Sequence, residues 1–205
     1  MAQIYLISPP KIDLKAFPIL LNEALSTGLV PIFQLRLKGY TKAEIFQISQ
    51  DLKEICHKNN CLFLLNDFLQ IALDVGADGV HLGADDGSIA LARKKAPQNF
   101  LIGASCYDSR ELAIKSAQDG ASYLSFGAFF QSKTKKSRGN PSPEIIKWCD
   151  ESINLPVVAI GGITDKNCKE LVDARVSFVS VISCVWDHHR GVKEAVINLH
   201  ESLQN

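Results

Sequence analysis

The sequence predicts an α/β fold in which short strands alternate with helices in one domain over residues 1–205. Two observations predict it. Eight apolar runs recur along the chain, each followed by a stretch with helical spacing of apolar residues. The runs are apolar at successive positions, as in parallel strands covered on both faces. Together they predict a single-domain (β/α)8 TIM barrel. The alternative, an open doubly wound sheet, is weakened because no G-x-G-x-x-G motif follows the first run.

The elements follow from this alternation. The predicted strands are Ile4–Ser8, Pro31–Arg36, Cys61–Leu65, Gly79–Leu82, Leu101–Ala104, Tyr123–Phe126, Val157–Ile160 and Phe178–Ile182. The clearest helix is Thr41–Lys58, in which Ile45, Ile48 and Leu52 share one face and Thr41 is a suitable N-cap. Further helices are predicted at Ser109–Gln118, Pro143–Trp148, Asp165–Asp173 and Val192–Leu203.

Composition excludes several classes of protein. Hydrophobic residues make up 46% of the chain, and 22 basic side chains balance 22 acidic ones, which excludes intrinsic disorder and argues against nucleic-acid binding driven by net charge. No apolar run reaches the roughly 18 residues of a membrane helix, and the N-terminal residues do not resemble a signal peptide. The six cysteines form no C-x-x-C pair, which is typical of reduced thiols. We therefore expect a cytoplasmic protein without a membrane or nucleic-acid partner.

Cationic and amide side chains cluster at the end of the second predicted strand. Alternation along a strand places Gln34, Arg36 and Lys38 on the same side. Burying two unpaired cations inside a barrel is costly, and an anionic ligand would remove that cost. The alternative is that Arg36 pairs with an internal carboxylate while Lys38 is solvated. The pattern alone favours neither.

Acidic residues follow the third and fourth predicted strands. Asp67 and Asp86 lie in loops at the same face of the barrel, and carboxylates from neighbouring strands suit Mg²⁺. The alternative is that each caps a following helix, which for either residue taken singly is the more frequent role. His81 lies within an apolar strand, where a hydrogen-bonded core histidine is more frequent than a catalytic one.

The last three predicted strands end in features that suit phosphate. The polar loop Gln131–Ser142 follows the sixth strand and interleaves hydroxyls with lysines. Glycines 161 and 162 follow the seventh strand, and backbone N–H groups follow the eighth, which is the recurrent phosphate position of such barrels. A solvated loop and a simple tight turn are the alternatives.

Taken together, these motifs resemble the thiamine-phosphate synthase family. The resemblance extends from Tyr5 to about Val185, and the spacing of Asp67 and Asp86 matches the family's paired metal residues. The stretches that carry it are FQLRLK, FLLNDFLQIALDVGADGVHLGADD, LIGAS, DGASYLSFGAFFQSKTKK, PVVAIGGIT and VSVIS. Their order along the chain is far more specific than any one of them.

The resemblance implies a transferase that joins an aminopyrimidine, hydroxymethylpyrimidine diphosphate, to thiazole phosphate. Pyrophosphate leaves first, and the thiazole nitrogen captures the resulting cation. By resemblance, Asp67 and Asp86 hold Mg²⁺, and Asn66 and Ser105 line the pyrimidine–pyrophosphate pocket. The pyrophosphate ligands are Gln34, Arg36, Lys38 and Lys135, and the thiazole phosphate ligands are Ser132, Thr134 and backbone groups of Gly162, Ile182 and Ser183. Arg36, Lys38, Ser105 and Lys135 form the implied catalytic set, and Gln131–Ser142 is a lid that excludes water.

Two other functions remain as alternatives. A thiazole tautomerase shares the barrel but has no evident use for the full set of cations and carboxylates. A non-catalytic barrel that binds a phosphorylated thiamine intermediate is the second. Only the synthase requires Mg²⁺, so dependence on this metal separates it from both. The sequence carries no mark of an oligomeric state.

Overall fold

Eight parallel strands form the centre of the molecule. The computed structural model describes residues 1–131 and 139–204. The strands are β1 (Gln3–Ile7), β2 (Ile32–Leu35), β3 (Leu62–Asn66), β4 (Gly79–Leu82), β5 (Leu101–Tyr107), β6 (Tyr123–Gly127), β7 (Val157–Ile160) and β8 (Phe178–Val181). They close into a barrel in chain order, with β1 paired to both β2 and β8. The predicted (β/α)8 barrel is confirmed.

Helices follow the strands as predicted. They are α1 (Phe17–Leu25), α2 (Lys42–Lys58), α3 (Leu69–Asp74), α4 (Ile89–Lys95), α5 (Arg110–Gln118), α6 (Glu144–Ser152), α7 (Lys169–Asp173), α8 (Ser183–Trp186) and α9 (Val192–Gln204). Thr41 caps α2 in a reciprocal capping box with Glu44, as its sequence position indicates. The prediction for α7 began four residues too early, because Thr164 and Asn167 form a hydrogen-bonded turn before the helix.

Apolar side chains form two layers that the strands separate. Outward-facing residues such as Ile4 and Phe33 pack against the helices in one continuous core. A smaller cluster fills part of the barrel interior and consists of Tyr5, Ile7, Ile32, Leu64, Tyr123 and Val158. The interior also holds buried polar residues, which lie at Gln34, Asn66, His81, Ser125 and Ser180. A barrel interior with this polar content is suited to binding a ligand.

Among the described residues, no helix is both long enough and apolar enough to cross a membrane.

Candidate active site

A cavity of about 380 Å³ opens at the carboxyl ends of the strands. Every strand contributes to its lining. Loops at this end of a barrel carry the active site in characterised enzymes of the fold. The described residues that the sequence analysis assigned to binding a substrate or metal line this cavity, and they are Gln34, Arg36, Lys38, Asn66, Asp67, Asp86, Ser105, Gly162, Ile182 and Ser183.

The two cations of the β2 end differ in their surroundings. Lys38 Nζ lies 2.8 Å from Asp67 Oδ2, and the lysine side chain is 51% exposed. The Arg36 guanidinium has no ion-pair partner within residues 1–131 and 139–204, although its backbone N–H donates to Ser8 Oγ at 2.8 Å. The alternative of an Arg36–carboxylate pair is therefore not what the structure shows. Among the described residues, Arg36 is therefore a cation beside the cavity that forms no ion pair.

The two carboxylates do not cap helices. Phe68 occupies the N-cap position of α3 without a side-chain bond, and Ser88 caps α4 through a bond from the Leu91 N–H. Asp86 instead accepts a hydrogen bond from the Gly83 N–H at 3.1 Å. Partial desolvation, followed by hydrogen bonding to Asp67 and the charge of Asp67, raises the pKa of Asp86. Two carboxyl groups therefore lie close together at the cavity rim.

The donor set of this rim fits Mg²⁺ better than a structural metal. Within the described parts of the chain, no group of three or more His, Cys, Asp or Glu side chains could hold a metal ion. Mg²⁺ needs no such group, because it is commonly bound by one or two carboxylates and completes its shell with water and substrate phosphate. Desolvation, and after it the neighbouring Asp67 carboxyl, raise the pKa of Asp86, and a divalent cation bound here would favour the charged carboxylate.

A continuous chain of hydrogen bonds crosses the cavity floor. Tyr5 Oη donates to Gln34 Oε1 at 2.9 Å, and Gln34 Nε2 donates to Asn66 Oδ1 at 2.7 Å. In the other direction, the Tyr5 and Tyr123 hydroxyls lie 2.8 Å apart. His81 continues the chain, with Nδ1 3.0 Å from the Tyr123 hydroxyl and Nε2 2.9 Å from Ser105 Oγ. The chain has one residue from each of β1 to β6.

Burial keeps the three titratable residues of the hydrogen-bonded floor, His81, Tyr5 and Tyr123, uncharged at neutral pH. It lowers the pKa of His81 to about 4, against the opposing effect of the Asp67 charge and with a smaller contribution from Arg36. Burial also raises the pKa of both Tyr5 and Tyr123 above the usual tyrosine range. At neutral pH the floor therefore consists of a neutral imidazole and two protonated phenols. His81 is a hydrogen-bonded core histidine, as expected, and it also lines the cavity.

Sequence reasoning missed several residues that line this cavity, among them Tyr5, Tyr123 and Ser180. Tyr5 and Tyr123 fit the mainly apolar pattern of their strands, so nothing in the sequence separates the packing of their rings from the role of their hydroxyls. Ser180 also lines the cavity, and its buried Oγ has no hydrogen-bond partner in the described part of the chain. The available signal was a hydroxyl within the predicted strand Phe178–Ile182, and the structure pairs Ser180 with Tyr5 in the β1–β8 register.

The structure describes only part of the cavity end that is predicted to bind the thiazole phosphate. Gly161 and Gly162 both have positive φ values, of 105° and 63°. A Cβ at Gly162 would meet the Gln131 carbonyl oxygen and would lie 2.9 Å from Phe130 Cβ, so this turn lies directly against the chain entering the predicted lid. Ser132, Thr134 and Lys135 lie outside the described residues, as does most of the predicted lid.

The fold and the cavity define a TIM-barrel enzyme whose site combines cations, paired carboxylates and a neutral polar floor. A family profile described as thiamine monophosphate synthase matches residues 4–185. The chain belongs to this family, and it is therefore a transferase of thiamine biosynthesis.

Proteins of similar sequence align with nearly the whole chain. The thiamine-phosphate synthase of Rhodospirillum centenum is 37% identical, with 98% of each chain covered. That of Erythrobacter litoralis is 41% identical, with 90% of this chain and 88% of the relative covered. Among solved structures, the thiamine phosphate pyrophosphorylase of Pyrococcus furiosus superposes with a TM-score of 0.84 at 32% identity, covering 98% of this chain and 95% of that one. A 3-hexulose-6-phosphate synthase, 15% identical, shares the fold with a TM-score of 0.69, covering 97% of this chain and 99% of that one.

Proposed function

We propose that the chain is a Mg²⁺-dependent thiamine-phosphate synthase. It transfers the pyrimidine-methyl group of hydroxymethylpyrimidine diphosphate to thiazole phosphate and releases pyrophosphate. The observation that carries this proposal is the joint placement of Arg36, Lys38, Asp67 and Asp86 around one cavity. A tautomerase or a phosphate-binding barrel would not need both unpaired positive charge and a carboxylate pair at the same rim.

The C–O bond to the leaving pyrophosphate breaks first in this reaction, and the bond between the pyrimidine-methyl carbon and the thiazole nitrogen forms afterwards. Negative charge develops on the leaving group, so its stabilisation by fixed cations lowers the barrier. Arg36 is placed to bind it, since its guanidinium has no carboxylate partner within the described residues. Lys38 would be free to bind the same leaving group if Mg²⁺ took its place as the partner of Asp67. We assign Gln34 to the same anion, together with Lys135, which lies outside the described residues.

Asp67 and Asp86 are the residues that would hold Mg²⁺. When bound, the ion supplies positive charge that neutralises the departing pyrophosphate. Replacement of Lys38 by the ion as the partner of Asp67 would free the Lys38 ammonium, which lies 2.8 Å from that carboxylate. The same side-chain geometry therefore couples metal binding to the supply of a substrate ligand.

The two substrates would occupy different parts of the cavity. Asn66 and Ser105 contact the pyrimidine at the polar floor, while Gly162, Ile182 and Ser183 lie at the end assigned to the thiazole phosphate. Ser132 and Thr134 belong to the same phosphate set by resemblance.

Pyrophosphate release tests the proposal. The purified chain is mixed with both substrates and Mg²⁺, and the assay is repeated with each substrate omitted and with a chelator. We expect release only in the complete mixture. Asp67→Asn should abolish it, and Asp51→Asn, which alters an exposed carboxylate on α2, should leave it intact. Retention of thiazole phosphate binding without any release would instead favour the tautomerase or the binding protein.

A further inference from the structure

The chain of hydrogen bonds on the cavity floor has a defined polarity. A phenol has one proton to donate, and Tyr5 donates its proton to Gln34 Oε1. The 2.8 Å contact between the two phenols must therefore use the proton of Tyr123. Tyr123 then has no proton left, so His81 Nδ1, at 3.0 Å, has to donate to it.

The same reasoning extends to Ser105. A neutral imidazole carries a proton on one nitrogen only, so His81 Nε2 is an acceptor when Nδ1 donates. Ser105 Oγ, 2.9 Å from Nε2, must then donate its proton to the ring. Its lone pairs alone remain for the cavity that it lines.

We propose that Tyr123 is a positioning residue, which holds the His81 proton on Nδ1 and thereby makes Ser105 a hydrogen-bond acceptor toward the substrate. Ser105 consequently selects a ligand that presents an N–H donor, as the amino group of an aminopyrimidine does. This identification of the ligand rests on the proposed function, whereas the orientation of the hydrogen bonds does not.

Packing holds the Tyr123 ring in the required place. The ring stacks on His81 with centroids 5.7 Å apart and planes 25° apart, and it lies 5.9 Å from the Tyr5 ring. Gly103 in β5 provides the space, since a Cβ there would overlap the Tyr123 ring and hydroxyl. Tyr123 is 5% exposed and Tyr5 is 1% exposed, so water cannot readily replace either hydroxyl in the chain.

The opposite polarity is a distinct chemical state. If the Gln34 amide were turned over, it would donate to Tyr5, and every later bond would reverse. Tyr123 would donate to His81 Nδ1, the ring proton would lie on Nε2, and Ser105 would face the cavity as a donor. The position of one proton on His81 therefore reports the orientation of the whole chain.

Nitrogen NMR of the full-length, histidine-labelled protein locates this proton. The chain has five histidines, and the His81 signals are identified by their loss in His81→Gln. We expect Nδ1 to be pyrrole-like and Nε2 to be pyridine-like near neutral pH. A proton on Nε2 in the wild-type protein overturns the proposal, whether or not the protein turns over the proposed substrates.

Two variants test the role of Tyr123 itself. Tyr123→Phe removes the acceptor for Nδ1–H, so the ring proton should move toward Nε2, and Tyr5→Phe should do the same by freeing the Tyr123 proton. Tyr40→Phe is the matched control, because the Tyr40 hydroxyl bonds to the Ile12 backbone and takes no part in the hydrogen bonds of the cavity floor. An unchanged His81 proton position in both Tyr123→Phe and Tyr5→Phe overturns the proposal.

Kinetics supply an independent readout. Ser105→Ala should lower kcat/KM about 10-fold in the wild-type background, the effect of one lost hydrogen bond of ordinary strength. In the Tyr123→Phe background the same substitution should cost less than about 3-fold, because the ring proton then lies on Nε2 and Ser105 turns its own proton toward the cavity, where it no longer complements an N–H donor. Equal costs in the two backgrounds overturn the proposal. Absence of all turnover refutes the proposed function, and the NMR result then still decides the orientation.

Discussion

Acidification should destabilise the folded chain through His81. Burial lowers the pKa of this imidazole from 6.5 to about 4, so between these values the unfolded chain binds a proton that the folded chain does not. The stabilising contribution is therefore fully present above about pH 6.5 and is lost progressively as pH falls toward about 4. Linkage gives a loss of about 2 kcal/mol in the free energy of unfolding between about pH 7 and about pH 4.5.

Urea unfolding of three proteins at these two pH values measures this loss. In His81→Gln the site no longer titrates, so the variant should lose about 2 kcal/mol less than the wild type. His189→Gln, which removes an exposed imidazole, should lose as much as the wild type. Asp86 acts in the opposite direction, since its raised pKa makes acid favour the folded state, but it is present in all three proteins and cancels. The reasoning is refuted if His81→Gln is as acid-labile as the wild type.

Three further predictions follow from the cavity. Gly103→Ala should lower the free energy of unfolding by roughly 1–3 kcal/mol, because the added methyl displaces the Tyr123 ring, and an unchanged urea midpoint would contradict this. With pyrophosphate present, Mg²⁺ at 100 times its Kd should stabilise the wild type by about 2.7 kcal/mol, whereas Asp67→Asn should show no such gain by calorimetry. Gly162→Val, at a φ of 63° and against Phe130, should raise the KM for thiazole phosphate more than that for the pyrimidine diphosphate; equal increases would place the phosphate elsewhere.

The sequence predicted the barrel well because its signal is repeated. Each strand is rich in apolar residues, and helical segments follow along the chain, so an error at one boundary leaves the count of strands unchanged. The errors occurred at element ends. β5 continues to Tyr107, beyond the predicted Ala104, because Ser105 and Tyr107 remain paired with β6 through a local register shift. The polar residues of that extension look like a loop in sequence.

The rim of the site was predictable from position, and its floor was not. Arg36 and Asp67 interrupt apolar runs with charge at strand ends, which is a visible signal. A capping role for Asp86 was the more frequent reading of an acidic residue before a helix, but Ser88 already fills that position. The floor depends on which hydroxyl meets which ring nitrogen across the barrel, and a tyrosine within an apolar strand carries no sign of this.

The hydrogen-bond chain on the cavity floor also bears on how such barrels change over evolution. Each of its six members comes from a different strand, far from the others in sequence. Replacing one of these residues leaves a buried donor or acceptor of its neighbour without a hydrogen-bond partner. This lowers the free energy of unfolding by about 1–3 kcal/mol. Single substitutions at these positions should therefore be rare among descendants of a common ancestor, and the six positions should covary, with neighbouring links exchanged together.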